Sequence, residues 1–243
     1  MEFLKNIKSD DLENLVDCLT HEKNGKIRFT ETLTQSEAYK TYHPDHNQYW
    51  ELIAAELQRY GANSFATLLR GGKGVKYKEI LMDVCDKLKV NYHSDSSVTK
   101  IENNLLMKVL IDEIENMSPE ELKELARSTG ATKFINLTPE VMLAAFQAVF
   151  HAGGFKSYHL SLMIVNAFMN TLLGRSLSLS GNLALTRTLA VLTGPIGWSM
   201  TGLLTTIDIA GPAYRVTIPA VIQVAVLRQK YLYEKPKADT DGN

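Results

Sequence analysis

Apolar residues recur at intervals of three and four through most of this chain, and that spacing predicts helix after helix. Leu12, Leu15, Val16 and Leu19 form a first stripe; Ser9 or Asp10 is placed to cap it, with Glu13 at the capping-box position. Asn24-Gly25 breaks the pattern, and the polar run "ETLTQSEAYKTYHPDHNQ" predicts a short helix followed by a connector at Pro44. From Gln48 onward Tyr49, Ile53, Leu57 and Tyr60 share one face, and Gly61 is a natural stop. Asn63-Ser64 would cap a further short helix ending at Gly71-Gly72. Tyr77, Leu81, Val84 and Leu88 mark an amphipathic helix, and Val98, Ile101, Leu105 and Val109 another. Ser118-Pro119 with Glu121, and Thr138-Pro139, are two further helix starts. No window alternates as a strand does. The predicted fold class is all-α, a multi-helix bundle.

Beyond Pro139 the pattern changes to long uncharged runs: 15 residues over 141–155, 18 over 157–174 and 20 over 188–207. Twenty apolar residues span a bilayer core. The 188–207 run, however, holds three glycines, a proline, five threonines and a serine, leaving nine large apolar residues. At roughly −0.3 to −0.6 kcal/mol for each strongly apolar residue, the polar and helix-breaking members offset most of the gain. His159, Asn166 and Asn170 act the same way in 157–174. A buried core, or a hairpin that enters membranes only conditionally, fits better than a permanent anchor. The expected organisation is a helical region and connector over 1–47, a charged amphipathic domain over 48–133, an apolar glycine-rich helical hairpin region over 138–233, and a disordered polar tail over 234–243.

Charge sharpens that division. Residues 1–140 carry a net −5 and residues 141–243 a net +4, for a total of −1. Between Val141 and Gln229 only Lys156, Arg175, Arg187, Asp208, Arg215 and Arg228 are charged. A buried charge needs a partner, and Asp208 and Arg215 flank the Gly211-Pro212 break, which makes them a candidate pair. Gly194, Gly197, Gly202 and Gly211 would let helix backbones approach closely. Pro219 is expected at a helix's first turn or at a kink. The charged N-terminus lacks the apolar segment of a secretory signal, so a cytoplasmic start is expected. Cys18 and Cys85 read as reduced core thiols.

Candidate chemistry is sparse. "LLRGGKGVKYKE" has glycines and lysines but no Ser or Thr after Gly74 to hold magnesium, so it is no phosphate-binding loop of the Walker type. Leu57 to Lys78 nevertheless contains no acid and five cations, Arg59, Arg70, Lys73, Lys76 and Lys78, a candidate patch for an anion or a lipid head group. His43 and His46 bracket Pro44 without the further ligands that a metal would want. No nucleophile elbow, paired Glu-x-x-His or dinucleotide fingerprint occurs. No enzyme activity and no cofactor are expected.

Three blocks, "LTHEKNGKIRFTETL", "YWELIAAELQRYGANSFATLLRGGKGVKYKEILMDVCDKLKV" and "AYRVTIPAVIQVAVLRQK", resemble the bacterial YaaW-like family, which stands beside the ubiquinol–cytochrome c chaperone-like proteins. The likeness runs from about Leu12 to Lys230, with Tyr49 to Val90 matching the chaperone-like helical part. The resemblance implies kinship to helical chaperones that hold a membrane-embedded subunit during respiratory-complex assembly. It implies no reaction and no catalytic residues. The expected function is a non-enzymatic protein that binds or chaperones a client at the cytoplasmic face of the inner membrane. The alternatives are a conditionally inserting, pore-forming or defence effector, and a soluble bundle or homo-oligomer without a membrane role. Nucleic acid is a disfavoured partner.

Overall fold

The computed structural model describes residues 1–62, 75–114, 117–129, 138–173, 207, 211 and 213–235. The fold is all-α. A 3-10 turn, Glu2–Asn6, leads into α1 (Ser9–Thr20), α2 (Glu37–Tyr42), α3 (Trp50–Ala62), α4 (Tyr77–Lys87), α5 (Val98–Ile114), α6 (Pro119–Thr129), α7 (Pro139–Ala152), α8 (Gly154–Leu173) and α9 (Tyr214–Glu234). Residues 115–116, 130–137 and 174–206 lie outside the described residues, as does the short helix expected after Asn63.

The amphipathic stripes point where their spacing says. In α1 Leu12, Leu15, Val16 and Leu19 are buried; in α4 Tyr77, Ile80, Leu81, Val84 and Cys85 are; in α5 Ile101, Leu105 and Val109 are. Thr138 caps α7 by accepting the Val141 N–H, with Pro139 at the first helical position. Gly153 and Gly154, at φ +68° and +71°, turn the chain from α7 into α8.

Two local expectations give way to tertiary contacts. The predicted capping box of α1 is not made: the N-cap is Lys8, with no side-chain hydrogen bond. Ser9 Oγ instead bonds Asp45 and accepts the Asn47 N–H at 3.0 Å, while Glu13 bonds His46. Gly61 does not stop α3, which continues through Ala62. A Cβ on Gly61 would fall 2.5 Å from Ile80 Cγ1, so this glycine makes room for the Ile80 side chain of α4. Pro219 lies inside α9, past its first turn, where its ring removes the N–H that would bond the Arg215 carbonyl.

Helix α9 is the centre of the molecule. It packs against α8, α1, α5, α4, α3 and the N-terminal turn. Every residue from Val216 to Leu227 is buried. A helix that is apolar on all sides must be surrounded, and here protein surrounds it. Helices from the three sequence-delimited helical segments share one hydrophobic core, in which Leu12, Leu57, Leu81, Leu105, Phe146, Phe168 and Val224 all take part. Helix α8, which carries most of the 157–174 run, lies along α9 with Leu160 to Met169 buried. Among the described residues no helix is long and apolar enough to cross a membrane.

Candidate functional site

Burying α9 brings polar side chains into the core, and Gln223, Arg228, Gln229 and Lys230 find partners far away in sequence. Arg228 Nε donates to Glu102 Oε2 at 2.7 Å, and the Tyr77 hydroxyl donates to Glu102 Oε1 at 2.7 Å. The guanidinium also lies 4.2 Å from the Phe3 ring centre, a cation–π contact. Glu102 is fully buried, and desolvation raises its pKa to about 7 although Arg228 and Tyr77 both favour the carboxylate. Burial likewise pushes the Tyr77 hydroxyl well above its ordinary value, with Glu102 adding to the effect. Two residues on, Lys230 Nζ donates to Asp11 Oδ2 at 2.5 Å, with both side chains buried. Gln223 Nε2 donates to the Asn14 carbonyl at 3.2 Å. These contacts fix the rotation and register of α9 against α1, α4 and α5, because a slip would strand charges in the core.

A second polar cluster joins α1 to the connector. His46, fully buried, bonds Glu13 through Nε2 and the Tyr49 hydroxyl through Nδ1, with Tyr39 packed beside it. Both ring nitrogens are engaged, and burial raises the Tyr49 hydroxyl far above its ordinary value. The His43 and His46 rings meet edge-on at 5.4 Å. Among the described residues no three His, Cys, Asp or Glu side chains are grouped to hold a metal. The cluster ties the N-terminal turn in place: Asn47 Nδ2 donates to the carbonyls of Lys5 and Ile7 at 2.8 Å each.

Of the residues singled out from sequence, Arg59, Lys76, Lys78, Gly211 and Arg215 lie among the described residues. Arg59 is engaged by Glu56 and by the Thr30 carbonyl, and Glu56 also accepts the Thr32 hydroxyl at 2.8 Å. Lys76 caps α4 and is exposed, and Lys78 stands in its first turn. Arg70 and Lys73 lie outside the described residues, as do Asp208, Gly194, Gly197 and Gly202. Arg215 is exposed in the first turn of α9. Gly211, at φ +99°, supplies a left-handed backbone ahead of α9.

Sequence reasoning missed a groove of about 750 Å³ bounded by the 89–91 turn, α5 and α7. Lys89, Lys100, Lys108 and His151 line it, together with the amides Asn91, Asn103, Asn104 and Gln147; no carboxylate among the described residues does. Lys89 is the one non-glycine residue with positive φ among the described residues, at 54°. That conformation costs an L-residue roughly 1–2 kcal/mol. It follows from the end of α4, where the Val90 N–H reaches back to the Cys85 carbonyl at 2.8 Å. Asn103 is held from behind: Ser157 Oγ donates to Gln229 Oε1 at 3.0 Å, and Gln229 Nε2 donates to Asn103 Oδ1 at 2.7 Å. With its oxygen committed inward, Asn103 offers its N–H donors. Three separate segments supply these cations, so no sequence window contains the groove.

The comparisons with known proteins agree with one another. The family model described as ubiquinol-cytochrome C chaperone matches residues 45–222, and a domain of unknown function matches residues 1–29. A UPF0174 protein of Helicobacter pylori strain J99 is 52% identical over 230 residues, covering 95% of this chain and 90% of its own length. A UPF0174 protein of H. pylori strain 26695 is 48% identical, covering 82% and 97%. The UPF0174 protein YaaW of Escherichia coli K12 is 33% identical over 235 residues, covering 94% and 93%. No solved structure matches the chain significantly. An all-α fold built around α9, similarity over nearly its whole length to UPF0174 proteins and a family match spanning α3 to α9 converge: the chain belongs to the UPF0174 proteins and to the ubiquinol-cytochrome C chaperone family.

Proposed function

We propose that this protein is a non-catalytic helical binding protein that holds a membrane-protein client at the cytoplasmic face of the inner membrane. One surface supports the reading best, the pole of the bundle where α9 ends and α8 begins. There Phe155, Leu232 and Tyr233 are exposed, at 44%, 47% and 41%. Phe155 stacks on His159 with ring centres 5.7 Å apart, and Tyr233 lies 5.4 Å from Phe155 and 5.8 Å from Tyr158. Lys156 and Lys235 are exposed at the same pole. Aromatic side chains with an apolar body and a wet edge, flanked by lysines, suit the boundary between lipid head groups and water, where a membrane protein's emerging segments are met. The family description adds kinship to chaperones of a membrane complex.

The buried pairs of α9 serve this reading as scaffold, holding the pole rigid. The test is flotation with anionic liposomes, run beside crosslinking in cells. Full-length protein should float and should crosslink to a defined membrane-protein client, and Phe155→Ser with Tyr233→Ser should weaken both. Full-length protein that never floats and captures no membrane protein refutes the proposal. Dye leakage from the same liposomes would instead select the inserting effector.

A further inference from the structure

We propose that the groove between α5 and α7 is a binding site for a phosphate-bearing anion. Lys89, Lys100 and His151 reach it from the α4–α5 turn, α5 and the end of α7, and among the described residues no carboxylate shares the lining. Lysines gathered along a concave surface repel one another and focus a positive potential into it, which an anion relieves. The neutral lining points the same way. Asn103 has its oxygen held by the buried Gln229, so the group it presents to the groove is an N–H donor. Asn104 Nδ2, by contrast, is spent on the Asn91 carbonyl at 2.9 Å, which braces the turn carrying Lys89 against α5. The lysine ammonium groups and the Asn103 N–H donors match the several acceptor oxygens of a phosphate group. At about 750 Å³ the groove has room for a phosphorylated small molecule or for a lipid head group.

This inference is independent of the client-binding pole, because neither Phe155 nor Tyr233 lines the groove. The probes are inorganic phosphate and glycerol 3-phosphate, titrated calorimetrically at constant ionic strength against chloride, and vesicles of phosphatidylglycerol or of phosphatidylcholine alone. The variants are Lys89→Gly, which suits the left-handed backbone, and Lys100→Gln, at an exposed helix position. Each should weaken binding about tenfold or more, the usual effect of removing a charge-assisted hydrogen bond. Lysine-dependent binding of glycerol 3-phosphate assigns a soluble ester. Lysine-dependent flotation on phosphatidylglycerol without a response to the soluble probes assigns a head group. No response to any probe, or a response that both variants leave unchanged, overturns the proposal.

Discussion

Glu102 provides the sharpest test of how α9 is held. Its carboxyl is fully buried between Arg228, the Tyr77 hydroxyl and, more remotely, the Met1 amino group. Burial nonetheless dominates and sets its pKa at about 7, against an ordinary value of 4.5. The native state therefore keeps a proton that the unfolded chain has released, and it does so between pH 4.5 and 7. Where the native state binds more protons, stability falls as pH rises. The contribution is fully present below pH 4.5, declines through that window and is level above it. A gap of about 2.5 units corresponds to about 3 kcal/mol across the window. Glu102→Gln removes the titration while keeping an oxygen for the Tyr77 hydroxyl. Urea denaturation of both proteins from pH 4.5 to 8, followed by far-ultraviolet circular dichroism, gives the difference curve. Titration of the Met1 amino group is common to both proteins and largely cancels from that difference. Relative to the variant, wild type should lose about 3 kcal/mol as pH rises. A flat difference, or wild type gaining stability with pH, would refute the reasoning, because the attraction of Arg228 would then outweigh burial.

Lys230→Met removes the buried ion-pair partner of Asp11 and should cost about 3–5 kcal/mol in denaturant unfolding, most of it recovered when Asp11→Asn is added. Recovery below a third would show that the two side chains are not each other's main partner. Gly61→Ala forces a methyl against Ile80; overpacking of about 1–3 kcal/mol outweighs the gain of about 1 kcal/mol in helix propensity. In an Ile80→Ala background the same change should become neutral or stabilising. Cys18 and Cys85 are both buried, and burial pushes the Cys85 thiol up to about 12. Neither should react with a disulfide reagent until the protein unfolds, and fast labelling of the native protein would contradict the packing of α1 and α4.

What the sequence disclosed, and what it hid, divides along a physical line. Helices with one wet face announce themselves, and the stripes of α1, α4 and α5 face the core as their spacing requires. Helix α9 has no wet face along most of its length, so its residues carried no direction, and the same apolarity would have suited lipid. Its position at the centre rests on partners that local reading cannot reach: Arg228 meets Glu102, 126 residues away, and Lys230 meets Asp11, 219 away. Arg228 stood out in sequence as a charge among apolar residues, yet nothing nearby named its partner. The capping box failed for a related reason, since Ser9 and Glu13 formed tertiary bonds with the connector instead of local ones. The α5–α7 groove was invisible because its lining comes from three separate segments.

The central claim is that α9 is permanently enclosed by protein. Hydrogen exchange of its backbone amides in aqueous buffer, without and with anionic vesicles, tests it most directly. Amides from Val216 to Leu227 should be among the slowest in the chain, exchanging only through global unfolding, and vesicles should leave them unchanged. Fast exchange across that span in buffer, or protection that shifts when vesicles are added, would contradict the enclosed helix and show instead a segment that opens at a membrane.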